Sequence, residues 1–321
     1  MDYDLEFEKP LAELAQKIAL LQDKSHLEPT EQEQLQQLTH DLQEQTREIY
    51  THLTAWQTVQ VARHKDRPYA ADYIRLMCQD FFELHGDRAF GDDHAILAGL
   101  ATLARMTVMF ICHQKGRDSK EKQYHNFGMP HPEGYRKAAR VMKLAEKLAF
   151  PLICLIDTPG AFPALADEER GQSEAIATNL YLMSRLRVPI IAVVIGEGGS
   201  GGALAISVAD RLLMLQHSIY TVAAPEAAAS ILWRDKAFAP QAAEAMRISA
   251  QELMDAQVVD ELIAEPLGGA HRNHAVAATN LQAALCKHLS ELTRIAPEQL
   301  IERRYQKFRA IGPFTLAASK L

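Results

Sequence analysis

Leu11, Leu14, Ile18 and Leu21 recur at steps of three and four, and Leu35, Leu38 and Leu42 repeat the pattern, with Ile49 one heptad further on. Pro29 separates the two sets. This spacing predicts two amphipathic helices joined as a hairpin with a narrow apolar seam. No glycine occurs before residue 63, and Gln and Glu are abundant there, so residues 1–62 read as an N-terminal helical arm. Such an arm either packs on its own body or contacts another subunit.

From about Arg63 the pattern becomes alternating strands and helices. His94 to Leu103 and Val108 to His113 read as neighbouring strands with a tight connection, and Pro132 to Ala149 as a helix opened by proline. Pro151 to Ile156 and Pro189 to Ile195 read as buried strands, with a helix from Gly171 to Leu186 between them. Leu212 to Leu215 and Val258 to Ile263 continue the strands. Helices are expected near Pro225 to Trp233, Ala239 to Asp255 and Asn273 to Leu292. Repeated β–α units argue for one α/β domain on parallel strands, placed at 63–300, with a C-terminal tail at 301–321.

Charge changes this picture in one respect. The whole chain of 321 residues carries −7, but residues 1–62 hold 12 acidic and 4 basic side chains, a balance of −8, which leaves +1 for the rest. The acidity belongs to the arm. No long basic stripe interleaved with aromatics points to nucleic acid. Val188 to Ile195 is the longest apolar run, far short of the roughly 20 residues that span a bilayer. The acidic N-terminus lacks the marks of a targeting peptide, so a cytoplasmic protein is expected. Cys78, Cys112, Cys154 and Cys286 are widely spaced, and His113, His125 and His131 have no metal-like partner spacing. Neither a metal site nor a disulfide framework is expected.

The candidate chemistry sits in Gly196-Glu-Gly-Gly-Ser-Gly-Gly-Ala203, after an apolar strand and before a helix of small residues that starts near Gly201. Glycines let peptide N–H groups approach a ligand, and at a helix start those donors lack intrahelical partners. The product is a backbone anion or oxyanion site, aided by the helix dipole. Gly196-x-Gly198-x-x-Gly201 also fits a dinucleotide fingerprint, but it follows at least two earlier β–α units instead of opening the fold. Gly198-x-Ser200-x-Gly202 fits the nucleophile elbow of a serine hydrolase, with Asp260 and His271 following in a permitted order.

Asp157-Thr158-Pro159-Gly160 ends a buried strand and turns sharply. With no GxxxxGK[ST] in the chain a nucleotide switch is not expected, and the turn reads as a pocket wall or a structural bend. Residues 100–150 hold 10 Lys/Arg against 4 Asp/Glu, including Lys115, Arg117, Arg136 and Lys137. That run is either a solvated face or a surface that attracts anions such as phosphates or an acidic carrier domain.

The segments His113-Gln-Lys-Gly-Arg117, Asn126-Phe-Gly-Met-Pro130, Pro132-Glu-Gly-Tyr-Arg-Lys-Ala138, Asp157-Thr-Pro-Gly-Ala161, Glu169-Arg-Gly-Gln-Ser-Glu-Ala-Ile-Ala177, the glycine turn and Leu267-Gly-Gly-Ala-His-Arg272 occur in this order. Together, from about residue 4 to about residue 310, they resemble the carboxyltransferase α-subunit family of bacterial-type acetyl-CoA carboxylases. The resemblance implies a crotonase-like spiral of ββα units and transfer of a carboxyl group from carboxybiotin, carried on a separate protein, to acetyl-CoA. It implies a β subunit, an α2β2 assembly, and a biotin carboxyl carrier protein with its ATP-dependent biotin carboxylase. By the same resemblance, the Gly201 and Gly202 amides hold the biotin oxyanion, with Gly198 and Gly199 as second candidates. Asp157, Thr158, Pro159, Gly160, Ala161 and Phe162 would line the biotin pocket.

Overall fold

The computed structural model describes residues 3–24 and 26–312. The N-terminal hairpin is α1 (Lys9–Gln22) and α2 (Pro29–Thr51), packed on one another as the leucine spacing requires. The next helix, α3 (Ala55–Ala62), buries Val59 and Val61 and packs on the sheet and on a later helix. The expected boundary at residue 62 therefore falls after a helix whose apolar face is covered by the body. Glu8, fully buried, ties the base of the hairpin down: it accepts from Tyr50 Oη at 2.7 Å and pairs with Arg272.

The body runs α4 (Ala70–Met77), β1 (Cys78–Glu83), β2 (Ile96–Leu103), β3 (Met106–His113), α5 (Ser119–Tyr124), α6 (Pro132–Leu148), β4 (Leu152–Thr158), α7 (Leu165–Glu169), α8 (Gln172–Arg185), β5 (Ile190–Gly199) and α9 (Ser200–Leu204). It continues with β6 (Arg211–Leu215), β7 (Ile219–Thr221), α10 (Pro225–Trp233), α11 (Ala239–Met246), α12 (Ala250–Asp255), β8 (Glu261–Ile263), α13 (His274–Leu292) and α14 (Pro297–Ala310).

The sheet order is β1-β2-β3-β4-β5-β6-β8, antiparallel through β3 and parallel from β3 onward. The β2–β3 hairpin closes through Ala104 and Arg105, both at positive φ (45° and 74°), the geometry that matches strand twist in a two-residue turn. Both faces of the sheet are covered. Along β3, Val108, Phe110 and Cys112 enter one core with α4 and α13, while Met109 and Ile111 enter the other with α6 and α8. Strands buried on both faces read as continuous apolar runs, which is why β4 and β5 are plain in the sequence.

Three elements depart from expectation. The single helix expected over 239–255 is two, α11 and α12, broken where Arg247 takes φ 52° and Ser249 caps the second helix. The short β7 pairs with the far end of β5 and carries no extended apolar signal. Residues 301–310 are not a tail but the bulk of α14. Arg304, buried within it, bonds both Asp210 carboxylate oxygens at 2.9 Å and the Met183 and Leu186 carbonyls at 2.6 and 3.0 Å. The remaining tail positions, 313–321, lie outside the described residues.

Candidate active site

The parallel strands β4 and β5 end side by side, and the chain turns out of the sheet at both ends. Crevices at the carboxyl ends of such strands are the usual ligand positions in open α/β sheets. Pairing of β4 with β5 shifts register between Ile156↔Val194 and Thr158↔Gly198. Asp157 fills the gap: its Oδ1 accepts the Glu197 N–H at 3.0 Å and the Lys115 ammonium at 2.6 Å. A side chain at Gly196 would collide with that carboxylate, its Cβ standing 2.6 Å from Oδ1. Thr158 then closes the turn locally, its hydroxyl accepting from Gly160 N at 3.0 Å and donating to Gly160 O at 2.8 Å.

Beyond Glu197 the glycines divide by role. Gly198 and Gly199 are still strand residues, paired with Tyr220 and Thr221 of β7. A Cβ would stand 2.6 Å from the Tyr220 ring at Gly198 and 2.3 Å from the Pro159 carbonyl oxygen at Gly199. Both are glycine for close packing inside the sheet. Gly201 and Gly202 are the second and third residues of α9, where an N–H has no acceptor four residues back. The helix expected to begin here is only the five residues of α9, so its dipole is small and the amides act as individual donors.

Gly202 is buried against the β4 turn; its Cβ would lie 2.6 Å from both Ala161 N and Gly160 C. The two turns thus touch backbone to backbone, bringing Gly160, Ala161, Gly201 and Gly202 together as one surface. Gly201 is half-buried, with only Ile176 near its Cβ position, at 3.9 Å. Phe162 is held just beyond, its N–H on the Pro130 carbonyl at 3.0 Å and its ring on His131.

The family described as "Acetyl co-enzyme A carboxylase carboxyltransferase-like" matches residues 4–312. An acetyl-coenzyme A carboxylase carboxyl transferase subunit alpha from Geobacter metallireducens is 54% identical over 312 residues, 97% of this chain and 98% of its own. The protein of the same name from Geobacter sulfurreducens is 59% identical over 266 residues, 83% of each chain. The chain belongs to the acetyl-CoA carboxylase carboxyltransferase family. Among solved structures, a chain of transcarboxylase 12S superposes with TM-score 0.59 at 19% identity; the match covers 71% of this chain and 42% of that one. A chain of a Pseudomonas malonate decarboxylase hetero-tetramer superposes with TM-score 0.58 at 17% identity, covering 73% and 90%. The fold is the crotonase-like fold of such carboxyltransferases, and the expectation from the sequence holds.

The basic candidates are mostly committed elsewhere. Lys115 is half-buried between Asp157 and Glu197; desolvation alone would lower its pKa, and the two carboxylates offset this and hold it above the usual lysine value. Arg117 bonds Asp72 and the Lys65 carbonyl and lies over the Tyr69 ring. Lys137 is fully buried, with Nζ 2.6 Å from Asp92 Oδ1 and 2.7 Å from the Asp93 carbonyl. Lys137 is an internal tie, Lys115 is half-buried against two carboxylates, and Arg117 holds its partners while remaining exposed at the surface. Arg136 donates to the Arg170 carbonyl, lies 3.7 Å from the Glu174 carboxylate and lines a cavity.

Ser200 is exposed and takes φ 60°, a strained position for a non-glycine residue. Its proposed hydrolase partners are engaged elsewhere. Asp260 accepts from Leu212 N and pairs with Lys307, while His271 stacks on His64 with ring centroids 3.9 Å apart. Burial first, then the neighbouring His64 and Arg272 charges, push the His271 pKa down to about 2. No triad is assembled. Asp4, His64 and Asp66 place ligand atoms within 4.8 Å of each other, but His64 Nδ1 already accepts the Asp66 N–H and Asp4 pairs with Lys65.

Sequence reasoning missed the ionic frame behind the glycines. Glu197, almost fully buried, is gripped by Arg63 at 2.6 and 3.1 Å, and Arg63 also reaches Glu226 at 2.6 Å. Buried Arg67 bonds the Ile195 carbonyl at 2.7 Å and both Glu265 oxygens at 2.6 and 3.0 Å. The signal available was charge inside otherwise apolar or glycine-rich runs, at Glu197 and Glu265.

Proposed function

We propose that this chain is the α half of a carboxyltransferase that moves a carboxyl group from carrier-bound carboxybiotin to acetyl-CoA, forming malonyl-CoA for fatty acid synthesis in the cytoplasm. The observation that carries the site assignment is the pair of amides at Gly201 and Gly202, at the start of α9 and braced by the Gly160–Ala161 turn. Biotin, when presented on its carrier, supplies the carboxyl group and the base for the acetyl methyl proton. The residues here fit that cofactor, because Gly201 is half-exposed and only the Ile176 side chain comes within 4 Å of its Cβ position. Their work is to hold negative charge on the ureido oxygen with preorganised N–H donors, each contributing ~3–4 kcal/mol in related chemistry. Asp157, Lys115 and Glu197 keep the strand ends in register, so the donors need no rearrangement during reaction. Thr158, Pro159, Ala161 and Phe162 form the adjoining wall.

The site is a half-site. Ser200 is exposed and Gly201 half-exposed, so the turn opens at the surface. Segments flanking it carry exposed apolar side chains: Leu165 after the β4 turn, Leu204 on α9, Val222 after β7, and Ile231 and Leu232 on α10. Such a concentration marks a protein contact. We assign it to the β subunit, which would bring the acyl-CoA half-site and complete an α2β2 assembly served by the carrier protein and an ATP-dependent biotin carboxylase. No helix of the described residues is long and apolar enough to cross a membrane.

Reconstitution tests this reading. The chain alone is expected to be inactive, and the purified α–β complex should form malonyl-CoA in a biotin-dependent assay. A complex that assembles yet shows no biotin-dependent carboxyl transfer would refute it. The helical hairpin is assigned to inter-subunit contact as well. Deleting residues 1–28, which leaves α3 in the core, should weaken assembly; normal assembly of the truncated chain would make the hairpin an appendage. Ser200→Ala should retain most activity, since the chemistry uses backbone donors, and fluorophosphonates should leave the wild-type chain unlabelled. Covalent labelling of Ser200 together with esterase turnover would favour a hydrolase.

A further inference from the structure

Between α6 and α8, under the loop that precedes β2, lies a cavity of about 500 Å³, within the size range of small-molecule sites. Arg88, Arg136, Arg140 and Lys143 line it, against the carboxylates of Asp87 and Glu174. Arg140 donates to the Gly86 and His85 carbonyls at 3.0 and 3.1 Å, which fixes its guanidinium beside Arg88. Burial first, and the Arg88 charge second, lower the Arg140 pKa, so the two cations repel one another. Lys143 has no hydrogen-bonding or ionic partner among the described residues. An excess of cations converging on one concavity is costly without an anion, and arginine forks match phosphate oxygens.

The floor of the cavity adds a second, independent feature. Asn179 is fully buried, and neither its amide nitrogen nor its amide oxygen has a hydrogen-bond partner. Asp87 accepts the Ala89, Phe90 and Gly91 N–H groups on Oδ1, leaving Oδ2 buried and unmatched. Unmatched buried polar atoms cost about 1–3 kcal/mol each, and their clustering in one cavity points to a ligand that satisfies them. Two of the unmatched atoms are acceptors, so the ligand must bring hydroxyl or amino donors together with its anionic group. The cavity lies across α8 from the glycine turn: Glu174, Ala175 and Thr178 face it, whereas Ile176 faces Gly201.

We propose that this groove binds an organic phosphate of nucleotide size bearing hydroxyl or amino groups, at a site separate from the acyl-CoA substrate. The phosphate assignment stands apart from the carboxyltransfer reading; only its separateness from the acyl-CoA substrate rests on that reading.

The test is calorimetric titration of the full-length chain, alone and in its complex, with adenosine monophosphate, ribose 5-phosphate, inorganic phosphate, citrate and coenzyme A at matched ionic strength. Adenosine monophosphate or ribose 5-phosphate should bind at one site per chain, more tightly than inorganic phosphate or citrate. Lys143→Glu, at a side chain without partners, should weaken that binding about tenfold or more and leave basal carboxyl transfer unchanged. Asn179→Leu should abolish binding while keeping or raising Tm, because it removes an unmatched buried amide; should it fail to fold, Lys143→Glu decides alone. No binding at millimolar concentration, equal binding of inorganic phosphate, or unchanged affinity in Lys143→Glu would overturn the proposal. Competition by coenzyme A, with a raised KM for malonyl-CoA in Lys143→Glu, would overturn the separateness of the site.

Discussion

Gly202→Ala is expected to lower carboxyl transfer by the reconstituted α–β enzyme about 10²-fold or more, the scale seen when one oxyanion donor is lost. The added Cβ would stand 2.6 Å from Ala161 N and Gly160 C and 2.9 Å from the Tyr135 hydroxyl. Two of these three atoms are backbone in a turn locked by Thr158, so the turn and the glycine amides must separate. Because the amides act most strongly in the transition state, kcat should fall along with kcat/KM. Gly201→Ala is the control. Its Cβ meets nothing closer than Ile176 at 3.9 Å, and it should assemble with near-normal Tm and turnover. The assay is malonyl-CoA decarboxylation onto free biotin, with assembly and Tm checked for each variant. A correctly assembled Gly202→Ala enzyme with near-normal kcat would move the donor to the Ala161 side of the junction.

That contrast between neighbouring glycines was not legible in the sequence. The run of five glycines in seven residues marks a place where backbone must approach something closely, and the position after an apolar strand places it correctly. What each glycine approaches depends on residues far along the chain. Gly199 faces Pro159, Gly198 faces Tyr220, and Gly202 faces Gly160. The β7 pairing that converts Gly198 and Gly199 into strand residues rests on three residues, Ile219 to Thr221, too few for a periodic signal. The buried strands were legible as continuous apolar runs and the long helix α6 by its period, each with its own boundary proline.

Charged residues were legible only as a count. Local counting found a basic run over 100–150, which reads either as a solvated face or as a surface for anions. The structure spends Lys115, Arg117 and Lys137 on carboxylates drawn from three separate segments, at Asp157, Asp72 and Asp92. Composition reports charge but not partners, and partners at long sequence separation are invisible to it. The same blindness hid Arg304, which turns an apparent tail into an anchored helix.

Arg67→Met is expected to destabilise the chain by about 3–5 kcal/mol, because it strands a buried carboxylate while removing little volume. The side chains of Arg67 and Glu265 are each about fully buried, and the pair joins β5 at Ile195 to the loop that carries Gly268 to Arg272. Glu265 is further bonded by His217 N at 2.9 Å and Ala270 N at 2.6 Å. Burial alone would raise its pKa; Arg67 first, then His217, override this and hold it down to about 2, against an ordinary 4.5. A carboxylate with a depressed folded-state pKa contributes stability that is complete above its unfolded value and is lost as pH falls through the folded one. The window therefore lies between about pH 5 and pH 2, and the shift corresponds to about 3 kcal/mol. His271, held neutral by burial, has a depressed pKa too, so its contribution begins to fade higher, below about pH 6.5. Glu265→Gln separates the two. Its urea midpoint should be lower than wild type at pH 7, and the gap should narrow steadily as pH falls from 5 toward 2, while the decline below pH 6.5 persists in both. A gap that stays constant from pH 7 to pH 3 would mean that Glu265 acts through packing alone and that its charge does not hold the site loop to β5.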